Sequence, residues 1–458
     1  MDATELDRVY EDFLAFHVRF APYVGRREAR ERSEQYVRGL LVQRSERRSA
    51  ENLAEAVPGA TPRALQRFLT ESSWSTEPVT AELQAYVGEH LSDSAGVFIP
   101  DETGFVKQGK MSVGVQRQYS GTLGKTGNCQ VGVFLTYAAP AGHATVDARL
   151  FLPEAWTRDP ERCHAAGVPE DEIRVRTKPE LALEMIAAAH SRAHLAGQWV
   201  TADEVYGNSP TFRDGVDGLS LLYVLEVQST LPVFEQESET VPPVWSGRGR
   251  PPTKRRLAPG ARPGREVREI RPEIPSEAWH ILTAAEGSQG PRRYRFAALR
   301  VWESREGLPG RASWLLFREN LDGTEPRYFL SNAPEDTPLQ KLAEVSSARW
   351  SVEEDFQTLK GECGLDEYEV RSWSGWHHHV TLALLAGAFL LALERSWGKK
   401  EPRDHAPPGR AHPLRAATAP PVDEDRSTRM ARSHPGEKRM RPIRTHEATS
   451  TQRVAHAA

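Results

Sequence analysis

Residues 96–137 read GVFIPDETGFVKQGKMSVGVQRQYSGTLGKTGNCQVGVFLTY. The runs GVFIP, VGVQRQYS and CQVGVFLTY are rich in β-branched and aromatic residues, and the intervening GTLGKTGN is rich in glycine. That alternation predicts strands joined by turns. A fourth run, ATVDARLFLP at 144–153, continues the pattern. Helical periodicity over Lys178–Ala196 then gives way to the apolar run QWVTAD at 198–203, and later to SLLYVLEV at 220–227. Strands first, then helix and strand in turn, predict a mixed α/β core.

On the N-terminal side, residues 1–93 carry helical spacing, with Tyr10, Phe13, Leu14 and His17 on one stripe. Within them, SAENLAEAVPGATPRALQRFLTESSW at 49–74 reads as two short helices broken at Pro58-Gly59, with Thr61 as N-cap and Pro62 in the first turn. This is the outline of a helix-turn-helix, and it would present Arg63 and Arg67 to DNA. An ordinary helical hairpin fits the same pattern.

On the C-terminal side, residues 231–335 include VPPVWSGRGRPPTKRRLAPGARPGREVREIRP at 241–272 and continue into YRFAALRVW and ASWLLFR. A β-rich insertion with a basic arm is expected. Helical periodicity returns over 336–398. Beyond it, 399–458 holds thirteen Lys and Arg against seven Asp and Glu, with few apolar residues. Such a segment cannot offset its chain entropy by burial, so a disordered basic tail is expected. The reading is therefore a helical N-terminal domain (1–93), a first core part (94–230), the insertion (231–335), the last core helices (336–398) and the tail.

At 458 residues the chain is too long for one small core. It opens on MDATELDRVYEDF, without a secretion signal. The apolar stretch Val380–Leu393 falls short of the roughly 20 residues of a membrane span and reads as a buried helix. Cys129, Cys163 and Cys363 are too scattered for a disulfide framework or zinc module, consistent with a reducing cytoplasm. A net charge of -4 argues against a protein that coats nucleic acid, but the basic residues are clustered.

The chemistry is carried by acids. Asp101 follows the run VFIP, and Asp203 follows WVTA, so both carboxylates are expected at the carboxyl ends of strands, the edge where open α/β sheets place active sites. Together they would bind a divalent cation, since Mg²⁺ takes oxygen ligands and often only one or two protein carboxylates. Each alone also reads as a turn or capping residue. The third element is RWSVEEDFQTLK at 349–360, in which Arg349, Glu353 and Lys360 fall on one helix face beside the apolar stripe Val352, Phe356 and Leu359. A plain i,i+4 ion pair is the simpler explanation of that face. The functional one has Glu353 completing the metal site while Arg349 and Lys360 hold DNA phosphates. A one-residue shift in register would substitute Glu354.

These strings, together with TADEVYG at 201–207 and the stretch through GWHHH, resemble the DDE-type insertion-sequence transposases, in the branch with a Tyr, Arg, Glu, Lys signature. The similarity covers most of residues 96–395. Arg349, Glu353 and Lys360 match the signature, the tyrosine position holds Ser346, and Pro100 stands where relatives often carry an acid. The resemblance implies a ribonuclease-H-like core with a β-rich insertion before the last catalytic helix. It implies a catalytic and metal-binding triad Asp101, Asp203 and Glu353, and Mg²⁺ or Mn²⁺, as two ions. It further implies double-stranded DNA partners (terminal repeats and target) and a homodimer in the synaptic complex. A bacterial, cytoplasmic protein, nucleoid-associated in action and free of membrane, is expected.

Further DNA contacts are expected from Lys107 and Lys125 on the first hairpins, and from Arg248, Arg250 and Lys254 in the basic arm. There phosphate contact is favoured over minor-groove reading by the Arg-Gly-Arg-Pro string. His377, His378 and His379 point in different directions on a helix and cannot share one ion. Rival readings are a decayed or domesticated DNA-binding derivative, a metal-dependent nuclease without strand transfer and, remotely, a glycoside hydrolase. The cations beside Glu353 disfavour the last, since they suit a phosphate.

Overall fold

The computed structural model describes residues 3–43, 47–121, 124–244, 248–250, 253–287 and 290–397. The expected tail at 399–458, and Pro251-Pro252 of the basic arm, lie outside these residues. Five helices open the chain: α1 (Ala3–Val24), α2 (Arg27–Val42), α3 (Ala50–Ala56), α4 (Pro62–Glu71) and α5 (Thr76–Leu91). In α1, Val9, Phe13, Phe16 and Phe20 recur every three or four residues and are buried. The Thr61 hydroxyl caps α4 by accepting from the Ala64 N–H, with Pro62 in the first turn as expected.

The first strands follow: β1 (Val97–Val106), β2 (Gln116–Ser120), β3 (Lys125–Ala139) and β4 (Gly142–Leu150). Short helices α6 (Glu154–Thr157) and α7 (Pro160–Ala165) lead to α8 (Lys178–Arg192), which a Thr177–Glu180 capping box opens. Then come β5 (Trp199–Ala202), α9 (Glu204–Gly207), α10 (Pro210–Gly218) and β6 (Leu222–Val227). The next segment holds β7 (Pro232–Phe234), a small pair of β8 (Thr240–Val241) with β9 (Arg256–Leu257), β10 (Arg265–Glu266), α11 (Val267–Ile270), and the long strands β11 (His280–Gly287), β12 (Gly290–Arg305), β13 (Leu308–Glu319) and β14 (Arg327–Ser331). Helices α12 (Leu339–Ser347), α13 (Trp350–Gly361) and α14 (Trp373–Trp397) close the described chain.

The core strands run β4-β3-β1-β5-β6: β1, β3 and β4 are antiparallel, while β5 and β6 run parallel to β1. This is the mixed sheet that the sequence predicts, in the ribonuclease-H-like form that the family resemblance implies. Strands of the 231–335 segment continue the same sheet, because β14 pairs antiparallel with β6 and is followed outward by β13 and β12. The two faces bury separate apolar layers. One contains Phe98, Tyr137, Val200 and Leu225. The other contains Ile99, Val224, Phe296, Phe329 and Val352.

Helix α14 packs against both the sheet and the N-terminal helices, with Phe389 in edge and tilted contact with Phe13 and Phe16 at 5.4 and 5.3 Å. From the sequence, the apolar stretch Val380–Leu393 is too short to cross a membrane. The helical span Trp373–Ser396 is in fact long and apolar enough, but 83% of that window is buried within the fold. Each histidine in its first turns finds its own partner: His377 the Trp373 carbonyl, His378 those of Leu69 and Trp74, and His379 the Tyr36 hydroxyl.

Glycine decides one close approach. A Cβ on Gly207, the last residue of α9, would lie 1.8 Å from the Glu226 carbonyl oxygen of β6. Gly207→Ala must therefore push α9 off the sheet, at the roughly 1 to 3 kcal/mol typical of overpacking. Chemical denaturation of the variant is expected to show a lower midpoint with an unchanged slope.

Candidate active site

Strand register aligns the acids. β1 pairs with β5 through Val97↔Trp199 and Phe98↔Val200, and β5 with β6 through Thr201↔Val224 and Ala202↔Leu225. Carried forward, the same register sets Asp101 level with Asp203, and Asp203 level with Glu226. Level residues of neighbouring parallel strands share a face, with strands about 4.8 Å apart.

Asp101 is not at the end of its strand, as the sequence suggested. It lies inside β1 opposite Phe134, because the longer β3 supplies partners for Glu102, Thr103 and Gly104 as well. On the other side β1 outruns the short β5, whose end at Ala202 leaves Asp203 as the cap of α9, accepting from the Val205 N–H at 2.9 Å.

Both carboxylates sit in an unfavourable field. Burial pushes Asp101 up to about 7, with repulsion from Asp203 and Glu102 adding to it and Arg349 opposing it. Burial likewise pushes Asp203 up to about 6, and Glu102 adds to that shift. Glu102, on the opposite side of β1, accepts from Lys178 Nζ at 2.6 Å and from the Tyr206 hydroxyl at 2.8 Å.

Helix α13 lies across β1 and β3. Arg349 donates from Nη1 to Asp101 Oδ2 at 3.2 Å, and Lys360 donates to the Thr103 hydroxyl at 2.7 Å. Asp101 and Thr103 share one face of the strand, so the two cations of the helix grip the same edge. Between them Phe356 meets Phe134 edge-on at 5.3 Å, and Val352 and Leu359 are buried, as the apolar stripe predicts.

Glu353 lies 3.7 Å from Arg349 Nη2 and is half exposed. The Arg349 guanidinium thus stands between Asp101 and Glu353 and supplies their counter-charge. Among the described residues, no three His, Cys, Asp or Glu side chains close around a single point. Glu354 turns elsewhere, accepting from Trp350 Nε1 at 3.1 Å and lying 3.3 Å from His143 Nε2.

The other basic residues are placed as follows. Arg63, Lys125, Arg248 and Arg250 are exposed. Arg67 pairs with Glu71, and Lys254 with Glu306. Lys107 is folded onto the Tyr368 ring, 3.5 Å from its centroid, where burial pulls it down to about 8.

Two further acids, absent from the expected site, flank it. Glu226 is 6% exposed and pairs with Arg327 at 2.7 Å; an acid inside the apolar run SLLYVLEV was its visible signal. Asp355 fixes the far side of α13, bonded to His143 Nδ1 at 2.7 Å and to the Thr145 hydroxyl at 3.0 Å. No local pattern announces a partner that distant in sequence.

The donors suit a hard divalent cation. Asp101 and Asp203 are level neighbours, largely shielded from solvent, and a single arginine leaves their negative charge incompletely answered, which is the kind of oxygen-donor pair such an ion takes.

Residues 19–291 match the family model described as DDE superfamily endonuclease. A probable transposase for insertion sequence element IS701 from Microchaete diplosiphon is 25% identical over 354 residues, covering 76% of this chain and 77% of the relative. The cryo-EM structure of a piggyBac transposase synaptic complex with hairpin DNA aligns over 89% of this chain and 77% of that one at 9% identity, with a TM-score of 0.39, too loose to add to the topology described above. With more than half of its length matched by the family model, this chain belongs to the DDE superfamily endonucleases.

Proposed function

We propose that Asp101, Asp203 and Glu353 are the metal-binding carboxylates of this chain, which is a DNA transposase: it cleaves DNA at the ends of a mobile element and joins those ends to a target. The observation that carries the assignment is the grip of α13 on β1, which brings Arg349 and Lys360, 248 and 257 residues away in sequence, onto Asp101 and Thr103.

The family implies divalent ions, and Mg²⁺ or Mn²⁺, as a pair, would suit all-oxygen ligands; held by these carboxylates, they would supply activation of a water or 3′-hydroxyl and stabilisation of the leaving oxygen. Asp101 and Asp203 would supply the fixed ligands, because Asp101 lies within β1 and Asp203 caps α9 directly after β5, each accepting a backbone N–H. Glu353, on the half-exposed face of α13, supplies the third. Arg349 and Lys360 hold phosphates of the strand being cut and fix its register without reading sequence. Exposed Arg63, Lys125, Arg248 and Arg250, with Arg67 and Lys254, extend the DNA contact. Bringing two element ends together calls for two copies of the chain, so a homodimer is the working assembly.

The test uses the purified full chain, Mg²⁺, DNA carrying the sequences that flank its gene, and a target plasmid, with nicking and joining scored separately. Wild type is expected to do both and Asp203→Asn neither. Joining that survives Asp203→Asn overturns the assignment, and nicking without joining in wild type makes the chain a nuclease.

A further inference from the structure

Arg318 of β13 and Arg327 of β14 stand directly opposite each other as a cross-strand pair. Like charges in that position weaken a ladder. Arg327 is answered by Glu226. Arg318, among the described residues, forms no ion pair; its guanidinium lies between the rings of Tyr294 and Phe329, at 4.9 and 5.5 Å from their centroids. Burial lowers its pKa, Glu226 opposes that shift, and Arg327 and Arg349 add to it.

This guanidinium lines a cleft of about 200 Å³ between the insertion strands and the start of α13. Four arginines, Arg292, Arg318, Arg327 and Arg349, face only two carboxylates there, Glu226 and Glu353. Glu226 is engaged by Arg327, and Glu353 lies beside Arg349. At the rim, Arg292 lies 3.8 Å above the half-exposed ring of Trp350. Among the described residues, neither Arg292 nor Arg318 has a carboxylate within ion-pair distance. A desolvated cation of this kind is costly unless an anion meets it.

We propose that this cleft is a phosphate-binding site, with Arg318 as its floor and Arg292 at its rim, that takes a backbone phosphate of the DNA strand next to the bond being cut. Planar guanidinium forks match phosphate oxygens in pairs, and the cleft shares Arg349 and Glu353 with the candidate active site, which fixes the phosphate as a neighbour of the reacting one. The inference rests on the DNA-cleaving reading of that site.

The test measures binding of the full chain to a labelled non-specific duplex in chelator across a salt series. Each phosphate contact contributes roughly 0.9 to the slope of log K against log salt. Arg318→Gln is expected to lower the wild-type slope by about one contact, while Arg318→Lys, which keeps the charge, retains it. Arg292→Gln, at the rim and outside the core, lowers it in the same way and decides the matter if Arg318→Gln fails to fold. Wild-type slopes in both neutral variants overturn the phosphate site while leaving the DNA reading intact. A wild-type chain without salt-dependent DNA binding overturns both. Inorganic phosphate that raises the melting temperature of wild type but not of Arg318→Gln, with DNA slopes equal, assigns the cleft to free phosphate and overturns the DNA assignment.

Discussion

Asp101→Asn is expected to abolish DNA cleavage and, in the absence of divalent ions, to raise the melting temperature at pH 8. Loss of cleavage follows from losing an anionic ligand. A metal's stabilisation of the transition state is worth several kcal/mol, so the rate should fall by roughly 10³-fold or more. The gain in stability follows from the site's electrostatics. Burial, then Asp203 and Glu102, hold Asp101 at about 7 against an ordinary value of 3.8, despite Arg349. A carboxyl raised in the fold contributes stability that is complete below its unfolded pKa and is lost as pH rises through its folded pKa. Wild type therefore loses this contribution between about pH 4 and pH 7, and an amide does not. Calorimetry of both proteins in chelator should show melting temperatures that converge near pH 4 and separate at pH 8, with the variant higher. Adding Mg²⁺ at pH 8 should raise wild type more than the variant, because only a ligand-binding native state gains from the ion. A variant that melts below wild type at pH 8, or that still cleaves, would show that Asp101 is a structural ion-pair partner of Arg349 and no ligand.

The core was legible in sequence because its elements are locally encoded. The strand runs from Val97 to Val227 carry their own apolar patterning, Thr61 and Pro62 mark a helix start with their own chemistry, and the spacing 349, 353, 360 puts three charges on one face wherever that helix lies. What could not be read is whatever depends on pairing across the chain. The position of Asp101 inside its strand is set by the length of β3, a property of residues some thirty positions later. The continuation of the sheet into the 231–335 segment depends on β14 finding β6, and proline-rich, arginine-rich composition around residue 250 says nothing of that edge. Arg349 resolved differently from a pure phosphate contact, because two carboxylates brought within reach of one guanidinium bind it until another ligand competes. Glu226 and Arg318 matter only because strand register sets one level with Asp203 and the other opposite Arg327.

Glu303→Gln should cost more stability than any other single substitution considered. Glu303 of β12 is 1% exposed and sits among three guanidiniums: Arg213 at 3.2 Å, Arg305 at 2.8 Å and Arg311 at 3.4 Å. It also accepts from the Tyr223 hydroxyl at 3.0 Å and the Ser313 hydroxyl at 3.1 Å. Burial alone would raise its pKa, but the arginines outweigh it and hold the group below the usual range, so it remains ionised well into acid. Arg213, equally buried on α10, also donates to the Gly207 carbonyl. The pair therefore fastens the insertion strands to the helices that follow Asp203. An amide of the same shape leaves Arg213 as a buried cation without its counter-ion, a change that typically costs about 3 to 5 kcal/mol. Denaturant unfolding should show that loss, and Arg213→Met in the Glu303→Gln background should cost less than in wild type, since the charge it removes is no longer paired. Additive costs would mean that Arg305 and Arg311, and not Arg213, hold Glu303. If the pair also fixes Asp203, Glu303→Gln will lower the cleavage rate at temperatures where the chain is still fully folded, whereas an undiminished rate would confine the network to stability.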